Sequence, residues 1–241
     1  MNQARSKVSK FFEGLTFKED THSYYVNGKR LKESVSGVIK KFVKPTDFQS
    51  IAKNIDKRDA LPSGTTQRLW DYKKDISCIV GDAAHFFGEI YPFHKNLEAK
   101  TKLEEAVTKF WNDLPDHIVP VFTELRMYHK KYRFGATKDI TLYNTITKKY
   151  IVGDYKTNED LFKNFNNTKL LEPFSNFLDT PFNKYQIQLS LYQLCFEQVG
   201  PEFEVERRVI VHLKPNGQYD MYDTMDLTQT LNNYLKNNYH V

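Results

Sequence analysis

Long apolar runs are missing from the 241-residue chain. None approaches the ~18 residues a membrane helix requires, so no membrane-spanning helix is expected. Cysteine is nearly absent: Cys78 and Cys195 stand far apart and in no Cys-x-x-Cys spacing. Two cysteines exclude a disulfide framework, a zinc ribbon and a four-cysteine iron–sulfur cluster within one chain. Glycine is scarce, at 10 residues, and no Pro/Gly/Ser-rich linker or internal repeat divides the sequence. A single domain over residues 1–241 is therefore expected, with an N-terminal hairpin and helical region up to about residue 66. The opening MNQARSKVSKFF is basic but lacks the apolar core of a signal peptide; a cytoplasmic protein is the expectation. Phe (18) and Tyr (15) are plentiful, and 40% of residues are hydrophobic against 27% charged. That balance excludes a disordered chain. Lys and Arg total 35 against 30 acids, a net +5, which permits a polyanionic partner without demanding one.

Periodicity supplies the elements. Phe17 to Leu31 reads as a hairpin turning at Asn27-Gly28. Ser34 or Ser36 caps a short helix through Val38, Ile39 and Phe42, which Pro45 ends. Helix is expected over much of Leu69 to Ile90, and again from Glu98, where Leu103, Val107, Phe110 and Leu114 form one apolar stripe. Three strands follow: Val121–Tyr132, Thr137–Tyr143 and Tyr150–Lys156, with turns near Phe134-Gly135 and Asn144-Thr145. Asn183 to Gln198 returns to helix. A second hairpin turns at Pro215-Asn216-Gly217, and a final helix covers Leu227 to about Asn237. The pattern predicts an α/β (α+β) layered domain.

The segment GATKDITLYNTITKKYIVGDYKT, residues 135–157, carries the most chemistry. A turn over Asn144–Lys149 sets Asp139 opposite Asp154 across an antiparallel ladder. Like charges so placed repel, and a divalent cation held by both is the simplest counterweight. Lys156, two residues on, projects from the same strand face as Asp154. A surface hairpin of alternating polar residues has the same spacing. In GDAAHFFGE, His85 and Glu89 share a helix face, and in YQIQLSLYQ so do Gln188 and Tyr192; alone, each is ordinary helix packing.

Taken in order, Gly81/His85, Asp139, Asp154/Lys156 and Gln188/Tyr192 make a set that resembles the RecB-like branch of the PD-(D/E)XK nuclease superfamily. The N-terminal stretch, with His22, Tyr24 and SVSGVI at 34–39, is similar to phage exonucleases and mitochondrial genome maintenance exonucleases. One departure is Ala136-Thr137-Lys138-Asp139 where the family often has Gly-Thr-x-Asp, the glycine standing one place earlier at Gly135. The resemblance implies a restriction-endonuclease-like core, a central mixed sheet flanked by helices, with a DNA substrate and Mg²⁺ or Mn²⁺. It implies Asp139, Asp154, His85 and the Tyr155 carbonyl as metal ligands, and Lys156 acting on the attacking water or the transition-state charge. Gln188 and Tyr192 would position the site or contact DNA, and Glu89 is a candidate for a second metal. The activity implied is DNA exonuclease, with recombination or replication proteins as partners; a structure-selective endonuclease or a non-catalytic binder of the same fold are the alternatives. For DNA contacts the basic residues interleaved with aromatics stand out: Lys130, Lys131, Tyr132 and Arg133, then Lys148, Lys149 and Tyr150.

Overall fold

The computed structural model describes residues 2–164 and 167–239. Its helices are α1 (Asn2–Phe11), α2 (Val35–Lys40), α3 (Phe48–Arg58), α4 (Thr65–Ile90), α5 (Lys102–Asp113), α6 (Pro181–Glu197) and α7 (Thr228–Asn238). The strands are β1 (Leu15–Lys18), β2 (Ser23–Val26), β3 (Lys29–Arg30), β4 (Glu33–Ser34), β5 (Ile118–Tyr128), β6 (Phe134–Asn144), β7 (Lys149–Lys156), β8 (Val205–Leu213) and β9 (Tyr219–Asp223). β1 to β3 form a small antiparallel sheet; the other six form the central mixed sheet, in the order β4-β6-β7-β8-β9 with β5 also on β6. β7 and β8 run parallel, joined through α6. The fold is thus α/β, as the element pattern predicts, with a mixed central sheet. Among the described residues no helix is long and apolar enough to cross a membrane.

Local chemistry explains most boundaries. The Ser34 hydroxyl accepts the Gly37 N–H and starts α2. Thr101 and Glu104 form a capping box on α5, satisfying two otherwise orphaned donors. Thr180 caps α6, with Pro181 in its first turn. Asn27 and Gly28 both take positive φ, 50° and 77°, as a two-residue hairpin turn demands. Asn144 closes the β6–β7 turn, its side-chain oxygen accepting the Ile146 and Thr147 N–H groups.

One expectation is corrected. The turn placed at Phe134-Gly135 lies earlier, between Tyr128 and Phe134, and both residues belong to β6. Gly135 serves instead to admit Tyr24: a Cβ there would sit 2.2 Å from that ring. Within the N-terminal hairpin and helical region, the basic N-terminus forms α1 and residues 48–58 form α3, where Phe48, Ile51, Ala52 and Ile55 recur at helical spacing.

Helices cover both sheet faces. α6, with α2 and α7, packs through Ile187, Leu191, Phe196 and Leu231 on one side, and α4 and α5 pack through Ala84, Phe87, Val107 and Phe110 on the other. Each of these side chains larger than Ala84 contributes about 1.5–3 kcal/mol by leaving water. α6 is buried on nearly every side from Gln186 to Phe196, which makes it the central helix.

Candidate active site

β6 meets β5 along its length on one edge, while its other edge is shared: β4 pairs with Phe134 and Gly135, and β7 with Ile140 to Asn144. Among the described residues none pairs with 136–139 on that second edge, so the sheet forks there, with Asp139 at its mouth. The predicted register holds from Asn144↔Lys149 to Ile140↔Gly153. Asp139 and Asp154 come next in it, but the ladder stops one pair short. The strands part, and the Asp139 carboxylate instead accepts the Tyr155 main-chain N–H at 2.9 Å. In a strand the N–H and C=O of one residue open on the same edge, so the Tyr155 carbonyl also faces the fork.

Three other elements converge on this point. α4 brings His85, whose Nδ1 lies 3.1 Å from Asp139 Oδ2. The approach depends on Gly88, one turn on, because a Cβ there would come within 2.6 Å of the Tyr155 ring. That ring is fully buried, packs edge-on to His85, and its hydroxyl accepts the Trp111 indole N–H at 2.7 Å. The Tyr155 side chain is therefore framework, and only its main chain reaches the site. Lys156 makes an ion pair with Asp154, and both side chains are nearly buried. Its ammonium lies 4.4 Å from the centroid of the Tyr185 ring on α6. Tyr185 donates to Asn158 Oδ1 at 2.6 Å, and His212 of β8 donates from Nε2 to the Asn158 carbonyl. One turn along α6, Gln188 donates to the Tyr192 hydroxyl.

The electrostatics follow from two carboxylates sharing a poorly solvated fork. Burial, and then Asp139, push Asp154 up to about 6, against the pull of Lys156 and His85. Asp139 is held below the ordinary carboxylate range, since His85, Lys156 and the Tyr155 N–H outweigh its burial. Burial opposes charge on His85, but the neighbouring Asp139 and Asp154 raise it to about 9. Burial likewise opposes the Lys156 ammonium, yet Asp154, Tyr185 and Asp139 keep its pKa above the usual lysine value. Tyr192 is buried beside both aspartates, and its phenol is pushed well up.

Glu124 completes the cluster, and the sequence reading did not find it. It sits on β5 opposite Asp139, with φ 48°, where the β5–β6 ladder skips from Thr123↔Ile140 to Leu125↔Lys138. Burial, then Asp139 and Glu89, push its carboxyl up to about 7. Glu89, on the His85 face of α4, lines with Glu124 and Arg126 a cleft of about 460 Å³.

The basic residues proposed for DNA lie elsewhere. Lys130, Lys131 and Arg133 occupy the β5–β6 turn; Lys130 rests over the Phe11 ring and Lys131 over Tyr132. Lys149 starts β7, about 23 Å of strand from Lys156, and pairs with Glu204 at 2.6 Å. Tyr132 and Tyr150 are buried in the core, Tyr150 stacked on Phe203, so neither offers a face to a base.

Among the described residues no three acidic, His or Cys side chains close on one point; Asp139 leans on His85 and Asp154 on Lys156. Carboxylate oxygens plus one imidazole are nevertheless a donor set suited to Mg²⁺ or Mn²⁺. A cation there would add to the attraction that Lys156 and His85 already exert on the two buried carboxylates. The residues fit the ion. Compared with known proteins, the chain matches no family model, and no curated protein matches it.

Proposed function

We propose that the protein is a metal-dependent deoxyribonuclease of the RecB-like PD-(D/E)XK kind, acting as an exonuclease on DNA. The observation that carries this reading is the convergence of His85, Asp139, Asp154, Lys156 and the Tyr155 main chain at one fork of the sheet. Three segments contribute, the helix α4 and the hairpin strands β6 and β7, and no packing need places two aspartates, a lysine and a histidine together at the edge of a core.

Asp139, Asp154, the Tyr155 carbonyl and His85 would hold Mg²⁺ or Mn²⁺. Such an ion would supply Lewis-acid polarisation of a phosphoryl oxygen and a lowered pKa for water. The Tyr155 N–H fixes the orientation of Asp139, and Asp139 fixes the His85 ring. A lysine with a raised pKa keeps its proton, which favours Lys156 as the group that orients water and stabilises developing phosphate charge over a role as base. The Tyr185 ring and the Asn158–His212 link hold that ammonium in place. Gln188 and Tyr192 wall the site on the α6 side.

End-labelled single- and double-stranded DNA, incubated with Mg²⁺ or Mn²⁺, tests the reading. Cleavage that disappears in Asp154→Asn and Lys156→Ala is expected, with closed circular DNA left intact. No cleavage by the wild-type protein with either metal would favour a non-catalytic binder, and rapid opening of circles an endonuclease.

A further inference from the structure

A cleft of about 940 Å³ lies between the end of α2, the start of α3, Trp70 of α4 and the first turn of α6. Phe48 and Trp70 meet edge to face at 6.3 Å on its wall, and Phe48 is 61% exposed. Lys40 and Lys44 stand exposed on the rim and make no ion pair among the described residues, whereas Lys184 pairs with the single acid of the lining, Asp179. The cleft is thus aromatic inside and net positive at its edge. Its α6 wall includes Lys184, the residue before Tyr185, whose ring lies beneath the Lys156 ammonium.

α4 connects the same two places. Asp56 of α3 is buried and accepts from the Gly64 and Thr66 N–H groups, which fixes the helical hairpin carrying Phe48 and Trp70. Beyond Trp70, residues 71–80 are exposed on every face of the helix, a span of about 15 Å. Contact resumes at Gly81, where a Cβ would lie 3.4 Å from Thr157 Oγ1, and His85 follows.

We propose that this cleft binds single-stranded DNA and leads it along α4 to the fork. The inference rests on the nuclease reading for what happens at the far end, but not for the binding itself. Exposed aromatic faces with lysines at the rim match unpaired bases on a phosphate backbone; a duplex hides the base faces that such rings stack on. From Trp70 to His85 is about 22 Å of helix, room for about six nucleotides at the ~3.4 Å spacing of a stacked strand.

Binding of fluorescein-labelled oligo(dT) of 4, 8 and 12 nucleotides, measured in EDTA, tests this without any cleavage. Affinity should rise steeply between 4 and 8 nucleotides and quench the fluorescence of Trp70. Trp70→Ala should weaken 12-mer binding about tenfold or more, given ~1–3 kcal/mol per stacked base, with Trp70→Phe restoring most of it. Far-UV circular dichroism checks that both variants fold. Lys40→Ala with Lys44→Ala should reduce the salt slope by about 1.4, at ~0.7 per phosphate contact on a single strand. Unaltered 12-mer affinity in folded Trp70→Ala, or no binding by the wild type, overturns the proposal. Trp70-dependent binding without metal-dependent cleavage would uphold the cleft and sink the nuclease reading. Cleavage with Trp70-independent binding would do the opposite.

Discussion

Asp154→Asn should make the metal-free protein more stable. In the folded state the Asp154 carboxyl is pushed from 3.8 up to about 6, by burial first and the nearby Asp139 second. Ionising it inside the fold therefore costs more than ionising it in the unfolded chain. At ~1.36 kcal/mol per pKa unit, that excess is about 3 kcal/mol once pH is well above 6. Asparagine keeps the shape and carries no charge, so the variant escapes that cost. The sign is that of a raised pKa: the stability tied to the proton is complete below pH 3.8 and lost as pH rises through 6. The gap between variant and wild type should accordingly be near zero at pH 4, open between pH 4 and 6, and level off above pH 7. For a chain of this size, 3 kcal/mol corresponds to about 6–12 °C in melting temperature. Thermal unfolding of both proteins in EDTA at pH 4.5, 6 and 8 measures it directly. A variant at or below wild-type stability at pH 8 would refute the argument, showing that the Lys156 ion pair outweighs the carboxylate repulsion.

Other consequences follow from the same geometry. Mn²⁺ at 100 times its dissociation constant should stabilise the wild type by about 2.7 kcal/mol and Asp154→Asn hardly at all; equal shifts in calorimetry would remove Asp154 from the ligand set. If His85 ligates through a neutral imidazole, Mn²⁺ affinity should keep rising about tenfold per pH unit from 6 to 9, because its proton is lost near 9, whereas His85→Ala should flatten that limb in a titration followed by electron paramagnetic resonance. Gly88→Ala drives a methyl into the Tyr155 ring and should cost about 1–3 kcal/mol in urea unfolding while lowering activity through the displaced His85; an unchanged midpoint would contradict the packing argument. Lys149→Ala removes an exposed ion pair with Glu204 and should alter stability by less than about 1 kcal/mol with DNA affinity unchanged, which filter binding would check.

Local pattern was enough for much of this molecule. A hairpin is short-range: once Asn144 to Lys149 is a turn, the alternation of Thr141, Tyr143, Tyr150 and Val152 fixes the pairing, and the observed ladder keeps that register. Helical spacing likewise sets His85 and Glu89, or Gln188 and Tyr192, on one face. The same logic failed one hairpin earlier for an instructive reason. A turn at Phe134-Gly135 would set Lys130 opposite Asp139; the true turn, centred a few residues upstream, puts Glu124 there. A small shift in a turn thus turned a supposed DNA-binding lysine into a distant one and hid a carboxylate of the site.

What tertiary structure alone decided is which distant segments share the fork. Whether Tyr132 and Tyr150 are exposed base platforms or core side chains depends on Tyr239, Phe196 and Phe203 arriving from the other end of the chain. His85 meets Asp139 only because α4 packs through Gly88 on Tyr155, and Lys156 is covered only because α6 crosses β7. Periodicity records which face of an element is apolar, an energy set by neighbours three or four residues away. It carries no label for the opposing surface, since burial rewards any apolar face equally and only close packing selects among them.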